Sequence, residues 1–141
     1  MTMQCTGRRA LFAVLAAGLL TSVSTGPARA DHDDVCRALH EAAFMDDSED
    51  VRALIQHGAD INCLDVLGQT PLITAVNGAS MDSFDILLKA GAKVDVRTEF
   101  GQTLLSHTKK KYASFSSEAA KRLRTLYGDM VARLEQAGAQ N

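Results

Sequence analysis

The chain has 141 residues, of which 46% are hydrophobic and 23% charged, and its formal net charge at neutral pH is −2. This length permits one domain of ordinary size with a modest buried core. The slightly negative charge excludes the strongly basic composition that is typical of nucleic-acid-binding domains.

The first 30 residues predict an export signal that is not part of the folded domain. Two basic residues, Arg8 and Arg9, precede a short apolar run, and the segment ends in the small-x-small triplet ARA at 28–30. This order is typical of a cleaved secretory signal, whereas a membrane-spanning helix needs about 20 apolar residues. We expect cleavage before Asp31, with an uncleaved signal anchor as the alternative. The general secretory and twin-arginine routes both remain open, and both lead to the periplasm, with secretion as a further possibility.

Removing the predicted signal takes away three arginines and leaves 12 basic against 17 acidic residues, a formal charge of −5. The charge is uneven, because residues 31–60 hold nine acidic residues against two arginines. Residues 97–141 hold eight basic residues against four acidic ones. Such an asymmetry steers the approach of a charged partner more than it determines the fold.

A period of 33 residues runs through the predicted domain at 31–141. The segment GQT at 68–70 recurs at 101–103, and GADIN at 58–62 recurs as GAKVD at 91–95. Apolar residues precede the glycines of the second pair at the spacing of one helical face. Each unit therefore predicts an amphipathic helix that ends at a glycine. The predicted units cover about 35–63, 64–96 and 97–138.

Motifs within these units resemble the ankyrin repeat. The segment TPLITA at 70–75 begins with a threonine that can cap a helix and a proline that fits its first turn. The segment LHEAA at 39–43 supplies the matching motif of the first unit. An ankyrin repeat has this period and consists of a β-turn and two helices. The resemblance implies an all-α solenoid of about three stacked helix-turn-helix units with β-turn tips.

The two end units depart from the pattern in ways that a stacked array requires. Terminal repeats expose one face and make it polar, and the first unit is rich in acidic residues while the third carries SHTKKK at 106–111. The third unit also holds an insertion from about Tyr112 to Thr125. We expect much of it to lengthen a final capping helix that begins after Ser117. Its apolar stripe is predicted to be Ala119, Leu123, Leu126, Tyr127, Met130 and Leu134.

The cysteines of the predicted domain, Cys36 and Cys63, allow two interpretations. In an oxidising compartment they can form a disulfide, which would stabilise the fold by about 3 kcal/mol on the chain-entropy model. Alternatively, they are two small, partly buried apolar residues.

No pattern in the sequence predicts catalysis, a cofactor or a metal site. The four histidines, at positions 32, 40, 57 and 107, form no zinc-ligand spacing, and the resemblance makes His40 a structural residue. Phosphate-binding loops and nucleophile motifs are absent from the sequence.

The resemblance implies a concave surface that binds a partner protein, built from the turn tips and from the facing edge of the first helices. Large apolar residues occupy five of these positions, and exposed apolar groups are favoured at interfaces. The alternative is that they pack within the end unit or shield one another. The predicted contact residues are Phe44, Met45, Val66, Leu67, Gln69, Asn77, Glu99, Phe100 and Gln102.

Basic residues cluster in the third unit, at 109–111 and at 121–124. A cluster of this kind is a solvated surface or a docking site for an acidic partner or for lipid headgroups.

Taken together, these patterns predict a non-catalytic protein-binding module in the periplasm. The resemblance suggests that its partner is a periplasmic enzyme that it stabilises or a toxin that it blocks as an immunity protein. A small thiol-redox or hydrolytic enzyme, and an exported effector acting on host proteins, are the alternatives. We expect a monomer when free, with no cofactor, no nucleic acid and no membrane segment after cleavage.

Overall fold

The computed structural model describes residues 28–141, and the side chains from His32 onward. The predicted signal peptide therefore lies outside the described residues, apart from its last three, which begin the first helix. Six α-helices and one 3₁₀ turn follow along the described residues. They are α1 (Ala28–Met45), α2 (Ser48–Gln56), α3 (Pro71–Gly78), α4 (Met81–Lys89), α5 (Leu104–Ser114), the turn Glu118–Ala120, and α6 (Lys121–Gln136).

The described part of the chain is all-α, as predicted. It contains no β-strand, and an isolated bridge joins Arg97 to Thr103 at the base of one loop. None of the helices in residues 28–141 is both long and apolar enough to cross a lipid bilayer.

The helices form pairs that stack side by side. Helix α1 packs against α2 and α3, α2 packs against α4, α3 pairs with α4, and α5 pairs with α6. Helices α1 and α3 therefore form an inner layer, which α5 extends through a hydrogen bond between its His107 and Asn77 on α3, and α2, α4 and α6 form an outer layer. The third pair joins the second through contacts of α6 with α4, and through the Tyr127 hydroxyl, which donates to the carbonyl of Val76 at 3.1 Å.

Local sequence signals determine where most helices begin and end. The hydroxyl of Thr70 accepts from the amide of Ile73 at the start of α3, and Thr103 does the same for Ser106 at the start of α5. The second helix of each pair is followed two positions later by a glycine with φ between +86° and +88°, a conformation that costs a side-chain-bearing residue free energy. These glycines, predicted as helix stops, are Gly58, Gly91 and Gly138.

The core lies between the two layers and draws on all three pairs. Because each pair covers the apolar face of its neighbour, no pair buries its own core alone. The largest fully buried apolar side chains include Leu39, Val51, Leu72, Ile73, Phe84, Leu87, Leu104, Met130 and Leu134.

The end of the third unit differs from the prediction. The insertion lengthens α5 as far as Ser114 as well as α6, and Ser117 makes no side-chain capping bond. Phe115 lies in the link between these helices and stacks on Tyr127, with ring centroids 5.5 Å apart. Of the predicted stripe, Tyr127, Met130 and Leu134 are buried and Leu126 is half-buried against the core, while Ala119 and Leu123 are exposed.

Candidate protein-binding surface

The first finger, the loop at 64–69 that precedes α3, is held by one carboxylate. Asp65 accepts hydrogen bonds from the amides of Leu67 and Gln69, both at 2.8 Å. The amide of Asp65 also donates to the carbonyl of Gln69 at 3.0 Å. With the backbone fixed in this way, the side chains of Val66 and Leu67 project from the tip and are exposed.

The second finger, the loop at 97–102 that precedes α5, has the same turn with a different support. The amide of Thr98 donates to the carbonyl of Gln102 at 2.9 Å. Thr98 stands where the first finger has Asp65, and its hydroxyl has no hydrogen-bond partner among the described residues. The Arg97 guanidinium instead donates to the carbonyl of Gly101 at 2.8 Å. Phe100, at the tip, is 75% exposed.

The structure places all five large apolar residues of the predicted surface in contact with solvent. The least exposed of them, Phe44, is still 51% exposed, so the tips do not shield one another. They do not form a single cluster. Met45 lines a separate cleft of about 440 Å³ at the free end of the first unit, with Leu54 and Asp50 among its neighbours.

The predicted polar contact residues occupy different environments. Glu99 is exposed, and Asn77 and Gln102 are half-buried. Gln69 is buried, which corrects its prediction as an exposed contact. The side-chain oxygen Oε1 of Gln69 accepts a hydrogen bond of 3.0 Å from Nδ2 of Asn77, which holds the Gln69 side chain against the inner layer. Gln69 therefore supports the finger from beneath.

A second hydrogen bond extends this pair into the third unit. The side-chain oxygen Oδ1 of Asn77 lies 3.0 Å from Nε2 of His107 on α5. Because an amide oxygen can only accept a hydrogen bond, Nε2 of His107 carries the hydrogen and donates it. Side chains from the first finger, α3 and α5 are thus connected along the inner layer.

The third unit contains an open cleft of about 500 Å³ on the inner layer. Its lining residues are Phe100, Gln102, His107, Lys110, Lys111 and Ser114. Burial lowers the pKa of His107, and the nearby charges of Lys111 and Lys110 lower it further. Burial also lowers the pKa of Lys111. The cleft is therefore a cationic site with an aromatic edge.

His107 is not among the contact residues that were predicted from the sequence. Four of the lining residues, His107, Lys110, Lys111 and Ser114, follow at steps of three and four positions, the spacing of one helical face. That spacing was the available signal. Metal-ligand spacing among the histidines does not reveal it, because the other members of this face are two lysines and a serine.

A disulfide joins Cys36 on α1 to Cys63, with the two Cα atoms 6.0 Å apart. This bridge ties α1 to the segment that enters the first finger. His40, one turn further along α1, also contacts α3 and the segment that contains Cys63. Its Nδ1 lies 2.8 Å from the Thr74 hydroxyl and its Nε2 lies 3.3 Å from the carbonyl oxygen of Cys63. Burial lowers the pKa of His40.

The same three residues are the described group that comes nearest to a metal-ligand set. Donor atoms of Cys36, His40 and Cys63 all lie within 4.8 Å of one another. Metal binding by cysteine requires the thiolate. The disulfide occupies both sulfurs, so in this form the group is structural.

Comparison with known proteins identifies a repeat family, in agreement with the repeated helix pairs of the structure. The family described as ankyrin repeats (3 copies) matches residues 10–98, a stretch that begins within the predicted signal peptide. Over 70 residues the chain is 43% identical to the human transient receptor potential cation channel subfamily A member 1, covering 50% of this chain and 6% of that protein.

Two further relatives match this chain over a stretch of similar length. The chicken Arf-GAP with coiled-coil, ANK repeat and PH domain-containing protein 2 is 37% identical over 71 residues, which are 49% of this chain and 9% of that protein. Human protein phosphatase 1 regulatory subunit 27 is 36% identical over 70 residues, which are 50% of this chain and 46% of that protein. The chain thus spans less than half the length of each of these three relatives.

Ankyrin repeats serve in general as modules for protein–protein interaction. The family match covers more than half of the sequence, and the repeat period and the stacked helix pairs agree with it. The chain therefore belongs to the ankyrin repeat family.

Proposed function

We propose that the chain is a non-catalytic module that binds a partner protein through its two fingers and the adjoining face of the inner helices. The observation that carries this proposal is the exposure of Val66, Leu67 and Phe100 at the finger tips. Exposed apolar side chains on neighbouring loops can mark an interaction site, and aromatic residues such as Phe100 are enriched at the cores of interfaces.

The fingers are suited to this role because they are already ordered. Asp65 holds two amides of the first finger, and Arg97 holds a carbonyl of the second. Binding therefore need not order these loops, and the free energy that such ordering costs is avoided. Burying one large apolar side chain contributes about 1.5–3 kcal/mol, so the three tip residues can form the centre of a stable interface.

The location and partner form the finer part of the proposal. The signal-like segment at 1–30 supports export to the periplasm. We propose that the partner is a periplasmic protein, either an enzyme that the module stabilises or a toxin that it blocks. The acidic first unit and the basic third unit support a partner with an asymmetric charge distribution.

The proposal is tested by partner capture from a periplasmic extract with the immobilised chain and the double variant Leu67→Asp, Phe100→Asp. Both side chains are exposed, so the helical circular dichroism and the melting temperature should change little. Capture should be lost, because two charges would be buried in the interface. Leu123→Asp is the matched control, since Leu123 is also exposed but lies on α6 in the outer layer.

Two results would contradict the proposal. If the double variant unfolds, the tips belong to the core. If it captures the same partner as the unmodified chain, the fingers do not form the interface.

A further inference from the structure

The cleft of the third unit has a composition that the rest of the inner layer lacks. One face of α5 presents His107, Lys110, Lys111 and Ser114, and the second finger adds Phe100. None of the described residues that line the cleft is acidic. The aromatic side chain of Phe100 and the side chains of two lysines therefore line one open space of about 500 Å³.

The lysines on this helix differ in whether their charges are compensated. Lys109 forms an ion pair of 2.9 Å with Glu135 and also donates to Asn141. Neither Lys110 nor Lys111 forms an ion pair with any of the described carboxylates. Lys111 is also partly removed from water, and its ammonium lies 5.7 Å from the centre of the Tyr127 ring. A carboxylate placed in the cleft would compensate charges that the chain leaves uncompensated.

We propose that this cleft binds an acidic segment of the partner protein, with carboxylates between Lys110 and Lys111 and an aromatic or aliphatic side chain against Phe100. This inference rests on the proposed function and specifies the chemistry of the partner. Opposite charge fixes the orientation of the segment and raises the rate of encounter. Aromatic contact adds affinity that does not depend on salt.

The rest of the molecule favours a carboxylate segment over a phosphate polymer. The chain as a whole carries a formal charge of −2, and its first unit is strongly acidic. A long polyanion running along the inner layer would meet that acidic end. A short acidic segment confined to the third unit would not. Nucleic acid binding also requires a more extensive basic surface than this cleft offers.

The experiment uses the full chain and a fluorescently labelled peptide with glutamates on both sides of one phenylalanine. Fluorescence anisotropy should show binding that weakens as salt is added. Replacing the glutamates of the peptide by glutamines should abolish binding, and replacing its phenylalanine by alanine should weaken it. Binding of the glutamine peptide with equal affinity overturns the proposal.

Charge reversal in the chain locates the site. The variant Lys110→Glu, Lys111→Glu should weaken peptide binding by at least about tenfold. The matched control Lys93→Glu, Arg122→Glu makes the same change in net charge at exposed positions outside the cleft, and should retain the affinity. Equal weakening by both variants overturns the proposal, because it indicates a general effect of net charge. Circular dichroism of each variant confirms that it is folded.

Two further arms separate this inference from its alternatives. Stronger, lysine-dependent binding of phosphatidylglycerol vesicles or of a single-stranded RNA would overturn the choice of a carboxylate ligand. In partner capture, Leu67→Asp tests the fingers alone. A partner that is lost with Leu67→Asp but retained with Lys110→Glu, Lys111→Glu would overturn the acidic-segment inference and leave the proposed function intact. A partner retained by both variants contradicts both.

Discussion

His107 shows how one side chain acquires properties that its neighbours determine. Its ring donates to Asn77, so it helps to hold the inner layer together, and it also faces two lysines. Partial burial and these positive charges both oppose a proton on the ring, which is why its pKa is lowered. The neutral form is therefore the one that the fold favours.

This preference predicts a pH dependence of stability. Below about pH 6.5, the ordinary histidine pKa, the unfolded chain takes up a proton more readily than the folded chain does. The free energy of unfolding should therefore fall as the pH decreases from that value through the lowered pKa of the folded state. Urea unfolding at a series of pH values measures it.

The variant His107→Gln keeps an amide donor for Asn77 and removes the titrating ring. It should lose less stability on acidification than the unmodified chain. An identical pH profile for the two chains would show that His107 titrates normally in the folded state. His40, whose pKa is also lowered, is present in both chains and does not affect the comparison.

At the scale of helices, α1 and α3 approach each other closely at Gly78. An added Cβ at Gly78 would lie 2.3 Å from the carbonyl oxygen of Phe44, which is a backbone atom that cannot rotate away. The Ser80 hydroxyl donates to the same carbonyl at 2.7 Å, and Asp46 accepts from the amide of Ser83 at 2.8 Å. The end of α1 is therefore fixed against the link between α3 and α4.

We predict that Gly78→Ala destabilises the chain by about 1–3 kcal/mol, because α1 and α3 must separate to admit the methyl group. Gly128→Ala is the control. Its added Cβ would lie 3.3 Å from the ring of Tyr112, a half-buried side chain that can shift, and alanine is favoured within a helix. Chemical unfolding of both variants gives the comparison. Equal stability of Gly78→Ala and the unmodified chain would mean that the helices are less closely packed.

The helices also show which features a sequence can predict. Thr70 and Gly91 mark helix ends through bonds to residues a few positions away, so a local pattern identifies them. Phe115, in the link before α6, stacks on Tyr127 within α6, a contact that no local spacing encodes. The burial of Gln69 likewise depends on Asn77, and through it on His107 in the next unit. The finger tips were predicted from their place in the repeat, whereas the cationic cleft required the packing of α5 beside the second finger.

At the scale of the whole molecule, the disulfide is a covalent link between two distant parts of the described chain. It joins residues 27 positions apart and fastens the first helix to the entry of the first finger. The non-covalent contacts between helix pairs are lost on unfolding, whereas the disulfide persists and lowers the conformational entropy of the unfolded chain. We therefore attribute part of the stability of the first unit to this bridge.

Replacing both cysteines, Cys36→Ser with Cys63→Ser, should lower the free energy of unfolding by about 3 kcal/mol. Reductant should lower the stability of the unmodified chain by a similar amount and leave that of the double variant unchanged. Urea unfolding with and without reductant measures both effects. Rapid reduction without loss of stability would instead indicate an exchanging thiol pair, as in a redox enzyme.

In each finger, the residues that shape the loop are different from the residues that project from its tip, and this affects how such a protein can evolve. The bonds that shape the loops use backbone groups together with Asp65 and Arg97, while Val66, Leu67 and Phe100 extend beyond them. Because these three side chains are exposed, we expect substitutions there to leave the loop geometry and the buried core unaltered. Natural selection or a combinatorial library can therefore redirect such a molecule toward a new target with little loss of stability.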